Sequence, residues 1–286
     1  MSPRGDPELV RALDAATILA EEAGRATLGY FRADVPVQRK AGSEPVTAAD
    51  RASQAIIVEG LRRQFPGYGM LSEESDDHAS WSAYDRSWVV DPLDGTQDFI
   101  GGLEGFAVMI GLLAPGASSA RDRRPVLGVV HCPVARATYR AIAGGGAELL
   151  RAGAPPATLR PSTIAELAAV RLVASKSHRS DRIDHAKAAL GISDELNVGS
   201  VGLKVGLIAR GERELYLNPD GHCRLWDTCA PEAILVEAGG RITDLHGDPL
   251  RYDPGQLRLS HGIVATNGAC HDAVLNALAP LFPRRP

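Results

Sequence analysis

The feature that most constrains this chain is the run Ser87-Trp88-Val89-Val90-Asp91-Pro92-Leu93-Asp94-Gly95-Thr96. Its apolar, β-branched start predicts a short buried strand that ends on the Asp91 carboxylate. Pro92 has no N–H to give to a ladder, so the strand is expected to stop there. Asp94 follows three residues later, with Gly95 at once after it. Two carboxylates on so tight a loop repel each other unless a cation sits between them. With the Leu93 carbonyl turned to the same point, they form an all-oxygen site of the kind that suits Mg2+. The N–H groups of Gly95 and Thr96 stand where a helix would open, and a helix N-terminus is a phosphate cradle. The same letters also spell an Asp-Pro turn followed by an Asp-Gly turn, which is ordinary loop chemistry. The strand upstream argues against that plainer reading, because a carboxylate capping a core strand needs a partner.

Three further acidic groups are spaced around this loop. Ser72-Glu73-Glu74-Ser75 follows a short apolar stretch, and taken alone it reads as a solvated charge run beside Asp76 and Asp77. Thr47-Ala48-Ala49-Asp50 has the form of a capping box opening a helix over residues 47–65. Asp227, in Leu225-Trp226-Asp227-Thr228, stands where an N-cap belongs ahead of a helix over residues 227–238, with Pro231 in the first turn. Gly239-Gly240 ends that helix.

The pattern along the chain is mixed. Helices are expected over residues 9–30, 47–65, 180–190, 203–210, 227–238 and 269–281. Strands are expected over 87–91, 106–113, 125–131, 138–143, 171–175, 213–218, 241–244 and 261–266. In the first half, strands joined by short loops predict an antiparallel sheet. The Pro-rich, aperiodic segment 151–162 predicts a boundary between an N-terminal α+β lobe (1–150) and a C-terminal α/β lobe (163–286). A length of 286 residues is compatible with two domains at roughly 150 residues each.

Composition excludes several functions. Lys and Arg number 31 against 35 Asp and Glu, a net charge of −4, so there is no basic excess to hold a nucleic-acid polymer. Only 5% of residues are aromatic, too few for a stacking platform along a single strand. Cys132, Cys223, Cys229 and Cys270 form no metal-binding spacing and predict buried free thiols in a reducing cytoplasm. The longest apolar run, residues 106–114, falls short of the ~18 residues needed to cross a bilayer, and no targeting segment is apparent. The expectation is a cytoplasmic protein with no membrane partner.

Together the acidic groups, in this order, resemble the inositol monophosphatase superfamily of Mg2+-dependent phosphatases. The likeness rests on Asp91 to Thr96, Glu73-Glu74, Thr47 to Asp50, and Trp226-Asp227 before Glu237-Ala238-Gly239-Gly240. It runs from about Lys40 to Gly247. Within the superfamily the chain is most similar to the 3′(2′),5′-bisphosphate nucleotidase branch. Lys40 precedes Pro45-Val46-Thr47, Asp98 precedes Phe99, Gly199-Ser200 leads to Lys204, and Ser175-Lys176-Ser177-His178 is similar to that branch's S-x-S-H. Two departures stand out: the segment before Lys204 is one residue longer than in some members, and Cys229 and Pro231 replace commoner small residues.

The resemblance implies an α+β, layered αβαβα sandwich. It implies two or three Mg2+ held by Glu73, Asp91, Asp94, Asp227 and the Leu93 carbonyl. Glu73 and Thr96 would orient and deprotonate a water, with Thr47 and Asp50 holding that network. Gly95 and Thr96 N–H groups would grip the scissile phosphate beside Asp227. Ser200 and Lys204 would meet a second phosphate, and Ser177 and His178 the nucleotide. The implied reaction takes the 3′-phosphate from adenosine 3′,5′-bisphosphate (PAP), giving AMP and phosphate, in a monomer or homodimer. An inositol-1-phosphate or sugar-phosphate phosphatase is the alternative within this chemistry. A phospho-aspartate mechanism of the haloacid-dehalogenase type needs its second Asp two residues after the first, and here the gap is three. A Mg2+- and nucleotide-binding protein without turnover is the remaining alternative.

Overall fold

A computed structural model describes residues 6–33, 37–39, 45–116, 122–176 and 179–284. Helix α1 (Pro7–Leu28) begins where the Asp6 side chain accepts the Glu8 N–H. Its Leu9, Leu13, Ala16 and Leu19 stripe is buried. Strands β1 (Gln38–Arg39) and β2 (Pro45–Val46) pair antiparallel ahead of helix α2 (Ala48–Gln64). The capping box predicted at Thr47 and Asp50 is formed, both bonds of it being present.

Strands β3 (Gly69–Ser72) and β4 (Ser87–Asp94), helix α3 (Thr96–Ile100), and strands β5 (Ala107–Pro115), β6 (Arg123–Cys132), β7 (Ala137–Ile142), β8 (Gly146–Arg151) and β9 (Ala157–Thr158) follow. The strands form one seven-stranded sheet in the order β3-β4-β5-β6-β7-β8-β9. It is antiparallel as predicted except at its β3 edge, which pairs parallel to β4. The short edge strand β9 lies inside the Pro-rich segment and pairs with β8.

The remainder comprises β10 (Leu172–Ser175), α4 (Asp181–Leu190), β11 (Glu195–Val198), α5 (Val201–Ala209), β12 (Leu215–Asn218), α6 (Leu225–Ala238), β13 (Arg241–Thr243), β14 (Ile263–Thr266) and α7 (His271–Leu278). Its five strands order as β11-β10-β12-β14-β13. Strand β11 escapes sequence reading because its four residues, Glu-Leu-Asn-Val, have too little apolar content at a parallel edge.

Three apolar clusters define five layers. Helices α1 and α2 pack with Trp88, Val90, Val108 and Ile110 on one face of the large sheet. Val89, Met109 and Val130 on the other face join Val205, Ile208 and Ile234 of α5 and α6, with Tyr216 and Ala265 of the small sheet. Helices α4 and α7 cover the small sheet's far face through Ile183, Ala186, Val274 and Leu278. The order helix–sheet–helix–sheet–helix is the predicted sandwich. All four cysteines are free and buried. Among the described residues no helix is long and apolar enough to cross a membrane.

Strand parity decides what faces the middle layer. Trp88 and Val90 point to α1 and α2, so Val89 and Asp91 point toward α5 and α6. The strand does not end at Asp91 as expected. It continues to Asp94, with Asp91 opposite Met109 and Asp94 opposite Ala107. Three steps on β4 against two on β5 make a β-bulge, and Pro92 sits within it, where a missing N–H is tolerated. The extra residue shifts the phase by one, so Asp94 emerges on the same face as Asp91.

Helix α6 reaches this face because the sheet beneath it carries glycines. Gly111 and Gly128 stand opposite each other on β5 and β6. A Cβ on Gly111 would lie 2.5 Å from the Cys229 sulfur, and one on Gly128 would lie 2.2 Å from the Ala230 carbonyl oxygen. Gly128→Ala should therefore destabilise the chain by about 1–3 kcal/mol, through a forced shift of helix backbone. Gly67→Ala, where a Cβ meets nothing within 4 Å, should stay within about 0.5 kcal/mol of the parent. Urea midpoints of the two variants check this, and equal midpoints would refute it.

Candidate active site

The acidic groups scattered through the sequence converge where the β4 bulge meets the first turn of α6. Asp91, Asp94 and Asp227 each place a carboxylate oxygen within 4.8 Å of the others. Asp91 and Asp94 are buried, and Asp227 is partly exposed to the cleft above them. Asp227 is not the N-cap. Helix α6 starts at Leu225, Arg224 is its N-cap, and Asp227 accepts the Arg224 N–H at 2.7 Å from the third helical position. The earlier start also places Pro231 inside the helix rather than in its first turn, where it denies the Asp227 carbonyl its intrahelical partner.

Backbone donors hold each carboxylate. Asp91 accepts the Leu93 N–H at 3.0 Å across the bulge. Asp94 accepts the Gly202 N–H at 3.0 Å and the Ser200 hydroxyl, at the start of α5. These bonds do not cancel the crowding. Burial, then the charges of Glu73, Asp94 and Asp227, push the Asp91 carboxyl well above its usual range. Burial, then Asp94 and Glu73, do the same to Asp227. Asp94 is raised by burial, against the Lys204 charge and the Ser200 bond. Carboxylates that are convergent, desolvated and mutually repelled fit a small hard cation.

Glu73 follows the end of β3, its N–H bonded to the Val90 carbonyl at 3.1 Å, and it lines the same cleft. Its loop is tied to α6 by His78, whose ring lies 5.3 Å from that of Trp226. The apolar residues before Glu73 thus do form a strand, and the glutamate's charge acts on the cluster rather than on solvent alone.

Beside the carboxylates, Thr47 donates its hydroxyl to Asp50 at 2.6 Å and its N–H at 2.8 Å. Asp50 is buried and, despite these bonds, raised in pKa by desolvation. The Thr96 hydroxyl lies 3.0 Å from the Leu93 carbonyl and 3.4 Å from Asp50. Gly95 caps helix α3 at φ +93°, in the left-handed region, where a Cβ would also strike the Gly105 carbonyl oxygen at 2.6 Å. The α2 turn that carries Asp50 also braces the loops. Ser53 donates to the Pro92 carbonyl at 2.6 Å, and Gln54 to the Glu74 carbonyl at 2.8 Å. Sequence reading passed over both, although Asp50, Ser53 and Gln54 share one helix face by their i, i+3, i+4 spacing.

Of the residues expected to contact substrate, Gly95, Thr96, Lys204 and Asp227 line a cleft of about 670 Å3 over the cluster. Lys204 is 1% exposed. Its ammonium donates to the Val198 carbonyl at 3.1 Å and the Gly199 carbonyl, and it faces the Tyr216 ring. Ser200 is fully buried, caps α5 by accepting the Leu203 N–H at 3.1 Å, and gives its proton to Asp94. Ser177, His178 and Lys40 lie outside the described residues. The cleft's lining also includes residues that no sequence motif marked: His222, Arg224 and Arg258. They are close because Arg224 and Arg258 form an antiparallel bridge, a contact with no local signature.

The Inositol monophosphatase family model matches residues 8–281. A 3′(2′),5′-bisphosphate nucleotidase CysQ of Salmonella typhimurium is 35% identical over 254 residues, covering 87% of this chain and 96% of that protein. A histidinol-phosphatase of Mycobacterium tuberculosis is 34% identical, covering 92% of this chain and 96% of that one. Among solved structures, the inositol monophosphatase from Anabaena superposes with a TM-score of 0.75 at 30% identity, over 96% of this chain and 97% of that one. A match that spans nearly the whole chain, on top of carboxylates gathered from two distant elements, leaves one assignment: the chain belongs to the inositol monophosphatase family and is a phosphoric monoester hydrolase.

Proposed function

We propose that the chain removes the 3′-phosphate of PAP to give AMP and inorganic phosphate, with Mg2+ as its cofactor. The observation that carries the chemistry is the convergence of Asp91, Asp94 and Asp227 beside the Thr47–Asp50–Thr96 chain. The nucleotide assignment is supported by the CysQ relatives at about a third identity over most of the chain.

Asp91, Asp94, Asp227, Glu73 and the Leu93 carbonyl are the groups that would hold two or three Mg2+. When bound, such ions neutralise charge on the phosphoryl oxygens and acidify water. The chain's own residues supply the rest. Thr96 has one hydroxyl proton, and both of its partners, Leu93 O and Asp50, accept it. Its lone pair is therefore left to accept a hydrogen bond from a water. Glu73 takes that water's other proton as a general base. The water oxygen attacks phosphorus, the bond from phosphorus to O3′ breaks in line, and O3′ takes a proton from solvent as it leaves, while Glu73 later gives its proton back to solvent. Asp50, held by Thr47 through two bonds, keeps Thr96 in that orientation. The Gly95 and Thr96 N–H groups face the phosphate, preorganised by the left-handed Gly95 turn.

Phosphate release from PAP should exceed that from inositol 1-phosphate and from histidinol phosphate by at least tenfold in kcat/KM. The reverse order would overturn the nucleotide assignment and leave the phosphatase standing. Asp91→Asn keeps an acceptor for the Leu93 N–H but removes one of the repelling charges. It should lower turnover by more than tenfold, which is about 1.4 kcal/mol of barrier. It should not lower the metal-free melting temperature, and Mg2+ should raise Tm for the parent more than for the variant. Calorimetry with and without Mg2+ checks both signs. A variant stabilised by Mg2+ as strongly as the parent would remove Asp91 from the metal set.

A further inference from the structure

Helix α6 borders a second cavity besides the cleft. Glu232 stands five residues past Asp227, about 140° further round the helix. It lines a space of about 460 Å3 that shares no lining residue with the cleft. The cavity is enclosed by β6, the β7–β8 turn, α6 and β13, which contribute Val126, Ala143, Val236 and Ile242. We infer that this cavity binds a small organic cation, an ammonium group on an apolar body, with Glu232 as its anionic anchor. Neither the cavity nor its ligand depends on which phosphate ester the cleft takes.

Glu232 is the unusual group. It is only 8% exposed, yet it is satisfied on one side alone. Among the described residues its bonded partner is the Tyr252 hydroxyl, which donates to Oε2 at 2.6 Å. Oε1 receives no donor from the described residues and is left to the cavity. The Oε2 edge is fixed, because Tyr252 also lies 3.3 Å from the Thr228 hydroxyl, itself bonded to the Leu225 carbonyl at 3.3 Å. A buried carboxylate oxygen with no donor is costly to keep. Burial pushes the Glu232 carboxyl up to about 7, against the Tyr252 bond and the Arg124 charge. A cation on Oε1 would give the charged form the partner it lacks.

The other charges of the cavity are already engaged. Arg124 pairs with Asp122 at 3.1 Å, and Arg241 pairs with Asp272 at 2.7 Å. Glu237 accepts the Gly144 and Gly146 N–H groups, each at 3.0 Å. Glu232 therefore sets the preference. It repels an anion, offers a neutral alcohol an ordinary bond, and offers an ammonium a charge-assisted one of roughly twice the strength. The apolar body has a place as well. Val236, one helical turn on from Glu232, is 51% exposed at the same cavity, and covering it removes apolar surface from water.

Benzylamine, which is protonated at neutral pH, is the probe. It is titrated into the whole chain with Mg2+ in excess, so that the carboxylate cluster does not compete for it. It should bind at one site with a Kd below about 1 mM. Binding should move the methyl resonances of Val126, Ala143 and Val236 and leave that of Val201, in the cleft, in place. Benzyl alcohol, of the same shape without the charge, should bind at least tenfold more weakly, and benzoate should not bind. Glu232→Gln keeps an acceptor for Tyr252 and should weaken benzylamine at least tenfold. Val236→Trp, at an exposed position, should crowd the cavity and weaken it at least threefold. The absence of saturable binding would overturn the site, as would shifts at Val201 in place of Val236, or benzyl alcohol or benzoate bound as tightly as benzylamine. Unchanged affinity in folded Glu232→Gln would remove the anchor and the proposal with it. Should that variant not fold, the three ligands on the parent and benzylamine on Val236→Trp decide the matter.

Discussion

The structure depends on holding three carboxylates together that would otherwise separate. Asp91, Asp94 and Asp227 each place a carboxylate oxygen within 4.8 Å of the others; burial raises all three pKa values, and repulsion between carboxylates adds to it at Asp91 and Asp227. Such an arrangement persists only if the surrounding backbone over-determines it. Here it does so from several directions. The β4 bulge re-phases Asp94, the start of α5 bonds it through Ser200 and Gly202, and the Arg224 N–H fixes Asp227.

The layers serve the same end. Helix α6 brings Asp227 to the sheet, and it can do so because Gly111 and Gly128 remove side chains from its path. Helix α2, on the other face, reaches around the sheet edge with Asp50, Ser53 and Gln54 to brace Thr96 and the two acidic loops. The large sheet, helices α5 and α6, and helix α2 thus each contribute a constraint to one centre. Arg224 and Arg258 are brought to the cleft in the same manner, by a bridge between the residue capping α6 and a distant loop.

Much of this was legible in one dimension. The capping box at Thr47 and Asp50, the Gly239 helix stop and the strand before Asp91 are short-range events, governed by residues within a few positions of each other. They were read from local rules and are present. Errors arose where tertiary contact overrode a local preference. Pro92 ends an isolated strand, but on β4 the partner β5 carries the ladder past it. Asp227 looks like an N-cap, but the Leu225–Leu257 pairing starts the helix two residues earlier. Strand β11 has little apolar signal and exists because β10 offers it an edge.

By itself the sequence determined which side chains are candidates for the chemistry: four spaced acidic groups, one of them a Thr-Asp cap, and a Gly-Thr turn, all specified by residue type and short spacing. Tertiary structure decided which of those charges share a point, that Ser200 and Lys204 are buried beside it, and that Arg258 lines the same cleft. The physical reason is range. Capping and turn formation are set by neighbours along the chain, whereas repulsion between carboxylates and the aim of a guanidinium depend on distances that exist only once the layers have packed.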